Sequence, residues 1–213
     1  MALAPPPVTA QPPELEPAPL LLPPDLRLTP EQFERVCQAN PEAVLELTAE
    51  GHLIIMTPTG GETSSRNGRL LYHLQVVCRR HKGWRLFDSS GGFRLPDGSV
   101  LSPDAALLRE DRWQALTPEQ RRGFPPLCPE LVIELASPSD SGPRCVSALR
   151  HKMERYQSNG ARLGWLLLPE ERAVEIWRAG QPGVVERLEN ASRLDGSELA
   201  GGLALDLEEL WAV

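Results

Sequence analysis

The sequence predicts a mixed α/β or α+β domain in which a central sheet is flanked by helices. Apolar residues recur with helical periodicity in two long segments, 60–83 and 142–160. Short apolar segments separated by Gly, Pro and Asp turns occupy most of the remaining chain, as is typical of strands. A chain of 213 residues suits one such domain with a substantial core.

Residues 1–28 are predicted to form a proline-rich arm, and residues 29–213 the domain itself. The first 24 residues contain nine prolines and few charges, a composition typical of a polyproline-like segment. The arm is expected to pack either on a neighbouring subunit or along its own domain.

The elements of the domain have local signals in the sequence. A helix is predicted to begin at Pro30, because Thr29 and Gln32 have the spacing of a capping box. Residues 43–58 alternate as the two strands of a hairpin, and the first long helix is predicted to end near Gly83. The later elements are strands within 84–110, a short surface helix and loop at 111–123, a buried strand at 128–138, the second long helix, a hairpin at 162–180 and two short closing strands.

The composition limits the function and location of the protein. The net charge of −7 argues against a protein that coats nucleic acid, so any contact with phosphates must come from local basic patches. No apolar run approaches the ~20 residues that span a bilayer. Since no Lys or Arg precedes Arg27, the start lacks the charge of a secretory signal, and a cytoplasmic location is expected. The four widely spaced cysteines are predicted to be buried free thiols rather than a zinc site.

Two acidic residues lie in or beside apolar strands. Glu134 is the one charge in the apolar run 131–136, where alternation places it on the same face as Val132 and Ala136. A buried carboxylate there is costly unless a divalent metal or a buried arginine pairs with it. Asp104 follows Pro103 at the start of another strand, where it serves either as a turn residue or as a second metal ligand.

Lysine is rare in this chain, which makes its position informative. Of the 22 basic residues, Lys82 and Lys152 are the two lysines. Lys152 lies roughly 70° from the centre of the apolar stripe of the second long helix, at about 100° per residue. From that border it could reach Asp104 and Glu134, or it could cover apolar surface by snorkelling.

The order of these segments resembles the putative restriction endonuclease family that is abundant in cyanobacteria, part of the PD-(D/E)xK nuclease superfamily. The resemblance rests on "GHLIIMTPTGGETSSRN", "SPDAALL", "PELVIELASPSD", "HKMERYQSNG" and "LGWLLLPEERAVEIW" and extends from Thr29 to the C-terminus. It implies a restriction endonuclease-like core, a mixed central sheet flanked by helices. It also implies that the lysine has moved from the strand position now held by Ala136 to Lys152 on the next helix.

The resemblance further implies a site that binds Mg²⁺ or Mn²⁺. Asp104 and Glu134 would be its ligands together with the backbone carbonyl of Leu135, and Lys152 would orient or activate the attacking water. Glu62, at the start of the first long helix, would be a further acidic residue of the site. The alternative explanation for a glutamate at this position is its favourable interaction with the helix dipole. Glu46 is a weaker candidate for this place, since it is expected to be a hairpin residue.

The expected function is a metal-dependent endonuclease that acts on DNA as a homodimer or higher homo-oligomer. Paired sites suit the cutting of two strands. Two alternatives are open: an inactive binding or scaffold protein with the nuclease fold, and a metal-dependent hydrolase of another phosphoester. The candidate nucleic-acid contacts are the arginines beside the expected site, Arg66, Arg69, Arg144 and Arg150.

Overall fold

The structure is a computed structural model that describes residues 23, 25–138, 143–181, 183, 185–199 and 203–212. The side chains of residues 143 and 144 are not described. The arm predicted at 1–28 lies almost wholly outside the described residues.

Six α-helices and twelve strands are found in the described chain. The helices are α1 (Pro30–Ala39), α2 (Gly61–Arg80), α3 (Glu110–Ala115), α4 (Pro118–Arg122), α5 (Pro143–Ser158) and α6 (Glu208–Trp211). The strands are β1 (Leu45–Leu47), β2 (Leu53–Ile55), β3 (Trp84–Asp88), β4 (Phe93–Arg94), β5 (Val100–Leu101), β6 (Ala105–Arg109), β7 (Leu131–Leu135), β8 (Leu163–Leu168), β9 (Ala173–Arg178), β10 (Val185–Glu189), β11 (Arg193–Asp195) and β12 (Ala204–Asp206).

The centre of the fold is a six-stranded mixed sheet with the strand order β10-β9-β8-β7-β6-β3. Strands β7 and β8 are parallel because α5 crosses over between them, whereas β6 is antiparallel to β7 and β8 to β9. A four-stranded sheet, β2-β1-β5-β4, and the pair β11-β12 complete the fold. The mixed sheet confirms the predicted fold class.

The two long helices cover opposite faces of this sheet. Leu70 and Leu74 of α2 pack in one core, and Met153 and Tyr156 of α5 pack in the other. Strand β7 contributes to both cores and is fully buried, as expected for a central strand covered on both sides. Its alternation therefore directs every second side chain towards α5, and Glu134 belongs to that set.

Several local predictions are confirmed and others need correction. Thr29 and Gln32 form the capping box of α1. Helix α2 ends at Arg80, and Gly83 follows with a φ of 100°. The segment predicted as one short helix contains two, α3 and α4, because Thr117 starts a second capping box. Beyond β9 the chain forms three strands and a helix rather than two short strands.

The cysteines are all free, but their burial differs from the prediction. Cys128 is buried, Cys37 and Cys78 are partly buried, and Cys145 is exposed. The prediction was wrong for Cys145 because its apolar sequence neighbour, Val146, points to a different side of α5. Among the described helices, none has the length and apolarity needed to cross a membrane.

Candidate active site

Neighbouring strands bring the two acids identified in the sequence together. Asp104 directly precedes β6, and the antiparallel pairing of Ala105 with Ile133 sets it beside the end of β7. Its Oδ2 accepts a hydrogen bond of 2.7 Å from the backbone N–H of Leu135, the residue after Glu134. Asp104 is therefore fixed at the strand end from which the Glu134 side chain projects towards α5.

The Lys152 side chain reaches this strand end from α5. Its Nζ lies 2.9 Å from Oε1 of Glu134 and donates a hydrogen bond of 3.0 Å to the backbone carbonyl of Ser102. The side chain is largely buried, with 14% of its surface exposed. The ammonium group thus lies beside the Glu134 carboxylate, towards the face of β7 to which Ala136 also belongs.

A second buried carboxylate contacts the same ammonium. Glu46 lies on β1, and its Oε1 is 2.8 Å from Lys152 Nζ. The same oxygen accepts a hydrogen bond of 2.8 Å from the backbone N–H of Ser102. Glu62, which the sequence favoured over Glu46, is exposed in the first turn of α2. The sequence did contain an indication for Glu46: it lies between the apolar residues Leu45 and Leu47 of a predicted strand, just as Glu134 lies between apolar residues of its strand.

Tyr156 is a member of the site that the sequence did not identify. Its hydroxyl group donates a hydrogen bond of 3.2 Å to Oε1 of Glu134, and the ring is fully buried in the core beneath α5. Tyr156 follows Lys152 by one helical turn, so the two side chains share a face of the helix. That spacing was the available signal, but an apolar stripe explained the tyrosine equally well.

The charges of the site are unbalanced. The pKa of Glu134 is raised to about 8, chiefly by burial and in addition by the nearby Asp104 and Glu46 carboxylates, which together outweigh the opposing effect of Lys152. Burial alone would lower the pKa of Lys152, but the Glu134 and Glu46 carboxylates outweigh it and raise the pKa above its ordinary value. Among the described residues, the buried Glu46 and Glu134 carboxylates contact one ammonium group, so full ionisation of these three groups leaves a net charge of −1, which a bound cation would offset.

The donor atoms fit a hard cation that keeps part of its water shell. Within the described chain, no three His, Cys, Asp or Glu side chains are grouped closely enough to hold an ion by themselves. Mg²⁺ is usually bound by one or two carboxylates and several waters, so a group of three such side chains is not required to bind it. Asp104, Glu134 and the Leu135 carbonyl are oxygen donors at one strand end, and their role as ligands stays a prediction.

The arginines considered for nucleic-acid contact are engaged within the chain where their side chains are described. Arg66 Nη1 lies 3.5 Å from Glu170 Oε1. Arg150 forms a bidentate ion pair with the buried Glu175, in which its Nε and Nη2 lie 2.8 and 2.6 Å from the two carboxylate oxygens. Arg69 donates to the backbone carbonyls of Glu209 and Ala212 beside α6. The side chain of Arg144 lies outside the described part. A nucleic-acid role for these four stays a prediction.

Comparison with known proteins identifies the family to which the chain belongs. The model of the family described as "Uma2: Putative restriction endonuclease" matches residues 30–208. The search of curated proteins found no match. Among solved structures, the fold is similar to a putative nuclease belonging to DUF820 from Anabaena variabilis ATCC 29413. The similarity has a TM-score of 0.67 at 20% identity and covers 86% of this chain and 97% of that one. The family match runs from the start of α1 to the start of α6, and the chain therefore belongs to the Uma2 family of putative restriction endonucleases.

Proposed function

We propose that the protein is a metal-dependent endonuclease that hydrolyses phosphodiester bonds in DNA. The observation that carries the proposal is the convergence of Asp104, Glu134 and Lys152 from two strands and a helix, with Lys152 Nζ 2.9 Å from Glu134. Membership of the Uma2 family supports a nuclease function in general. The excess of carboxylates over ammonium groups supports the requirement for a divalent cation.

Each residue has a distinct part in the proposed reaction. Asp104, Glu134 and the Leu135 carbonyl would hold Mg²⁺ or Mn²⁺, which would polarise the phosphate and lower the pKa of a bound water. Lys152 would orient the attacking water and stabilise the negative charge that develops on the phosphate oxygens. The water oxygen forms a bond to phosphorus and releases a proton to solvent, the bond to the leaving sugar oxygen breaks, and that oxygen takes up a proton from solvent.

Glu46 and Ser102 would keep the Lys152 ammonium group in position. Within the described part of the chain, Glu46 and Ser102 supply the oxygens that contact Nζ besides Glu134, and the N–H of Ser102 fixes the Glu46 carboxylate in turn. A lysine side chain has four rotatable bonds, so such fixed partners reduce the entropy lost when the side chain is ordered for reaction. We also propose that the enzyme is a homodimer or higher homo-oligomer, since two sites allow both strands to be cut.

The direct test is nicking of supercoiled plasmid by the full-length protein in Mg²⁺, in Mn²⁺ and in EDTA. Conversion to open-circular DNA is expected with either cation and not with EDTA. An inert protein across plasmid, linear duplex and single-stranded DNA would overturn the DNA endonuclease. Hydrolysis of RNA or of a small phosphodiester alone would point to the other phosphoester class, and binding without any hydrolysis to the scaffold alternative.

The two candidates for the further acid predict opposite results in matched variants. We expect Glu46→Gln to lower the nicking rate about 100-fold or more, because the neutral amide no longer holds the Lys152 ammonium group in place. Glu62→Gln makes the same chemical change at an exposed position and is expected to leave the rate unchanged. Initial rates at saturating Mg²⁺ measure both. A loss confined to Glu62→Gln would restore Glu62 to the site and remove Glu46 from it.

A further inference from the structure

The β1–β2 hairpin exposes large apolar side chains next to Glu46. Val44, Ile54 and Met56 are all exposed, with 38% of the Ile54 surface accessible. Ile54 is the cross-strand partner of Glu46, and the backbone N–H of Met56 donates to the Val44 carbonyl two pairs further on. Directly opposed residues of an antiparallel pair point to the same face of the sheet. Val44, Ile54 and Met56, the apolar ridge, therefore lie on the face from which Glu46 reaches Lys152.

The other face of the hairpin is occupied by the core. Leu45, Leu47 and Leu53 pack there with Phe33 of α1. Ile55 pairs with Leu45 and lies on that face, at its edge, where 53% of its surface is exposed. The hairpin thus has an apolar side that the fold uses and a second apolar side, beside the candidate active site, that the described residues leave exposed.

Scattered exposed apolar residues are common and need no explanation. The apolar ridge differs because its three members share one face with Glu46, whose carboxylate contacts Lys152. The ridge has no charge to attract a phosphate, so it suits the parts of a nucleic acid that are uncharged. Isoleucine and methionine are among the apolar side chains that some DNA-binding proteins insert between base steps.

We propose that the apolar ridge contacts the sugars and base edges of the substrate strand beside the phosphodiester that is cut. This inference rests on the proposed nuclease function and specifies how that site holds its substrate. The nonpolar contact would anchor the nucleotides next to the cut, while the metal site and Lys152 hold the phosphate. It would also supply affinity that a chain with a net charge of −7 does not obtain from a basic surface.

The test compares neighbouring isoleucines on opposite faces of the same strand. Binding of a fluorescein-labelled duplex to the full-length protein is measured by anisotropy in EDTA over a series of NaCl concentrations. We expect Ile54→Ala to weaken binding about fivefold at every salt concentration, as loss of part of an apolar contact implies. The slope of log K against log[NaCl] should stay unchanged, because no phosphate contact is lost. Ile55→Ala should bind as the wild type does, and Ile54→Leu should restore most of the affinity.

The outcomes separate this inference from the proposed function. Equal binding by Ile54→Ala and Ile55→Ala, with an active wild type, overturns the ridge contact and leaves the nuclease intact. A wild type that neither binds nor cuts nucleic acid removes the proposed function and the ridge contact with it. Sedimentation velocity tests whether a second copy of the chain binds to the ridge instead. An Ile54→Ala protein that dissociates into smaller species, while its DNA affinity is unchanged, would show that the ridge is a contact between subunits. That result would also overturn the inference.

Discussion

Replacing Lys152 with methionine is expected to abolish nicking and to lower the free energy of unfolding by about 3–5 kcal/mol, the usual cost of removing one partner of a buried ion pair. Among the described residues, Lys152 Nζ is the cation that contacts the buried Glu46 and Glu134 carboxylates, at 2.8 and 2.9 Å. Methionine keeps much of the side-chain length but leaves both acids without that charge. Plasmid nicking in Mg²⁺ measures the first effect, and guanidinium chloride denaturation at pH 8 measures the second.

Lys82 provides the matched control, since it is the other lysine of the chain and is exposed just beyond α2. Lys82→Met should change neither the nicking rate nor the free energy of unfolding. Lys152→Arg separates charge from geometry: the guanidinium group retains the positive charge, but its planar fork does not match the single-point contacts made by Nζ. We expect the arginine variant to recover part of the stability and little of the activity. Full nicking by Lys152→Met would refute the assigned role of the lysine.

The parts of this site that the sequence could predict depend on local spacing. Alternation along β7 determined the face of Glu134, and helical periodicity placed Lys152 at the border of the buried face of α5. Both followed from residues within a few positions of each other. The capping box at Thr29 was predictable for the same reason, because its hydrogen bonds join residues three apart.

The remaining parts depend on contacts between distant segments. Glu46 meets Ser102, 56 residues further along the chain, because β1 pairs with β5. Nothing near Glu46 in the sequence indicates that pairing, whereas Glu62 lies in a segment that the family resemblance had already singled out. The arginines show the same limit of sequence-based prediction. Arg66 contacts Glu170, 104 residues away, and the sequence gives the charge of the arginine but not the residue with which it pairs.

Replacing Glu134 with glutamine is expected to abolish nicking and to remove a pH dependence of stability that the wild type shows without metal. Burial raises the pKa of Glu134 from 4.5 in the unfolded chain to about 8 in the folded protein. Between these values the folded protein retains a proton that the unfolded chain has released. The resulting stability is fully present below pH 4.5 and is lost as the pH rises through about 8. One proton contributes at most about 1.4 kcal/mol per pH unit.

The measurement is the difference in free energy of unfolding between Glu134→Gln and the wild type, from urea denaturation between pH 5 and pH 9 in EDTA. Glutamine cannot release a proton, so the variant should gain stability relative to the wild type as the pH rises. Glu62→Gln, at an exposed position, should show no such trend.

A divalent cation beside Glu134 would favour its ionised form. Mg²⁺ should therefore reduce the decline of the wild-type free energy of unfolding with pH and leave the glutamine variant unaffected. Parallel curves for the variant and the wild type in EDTA would show that Glu134 does not titrate in this range, and the raised pKa assigned to its carboxyl group would be wrong.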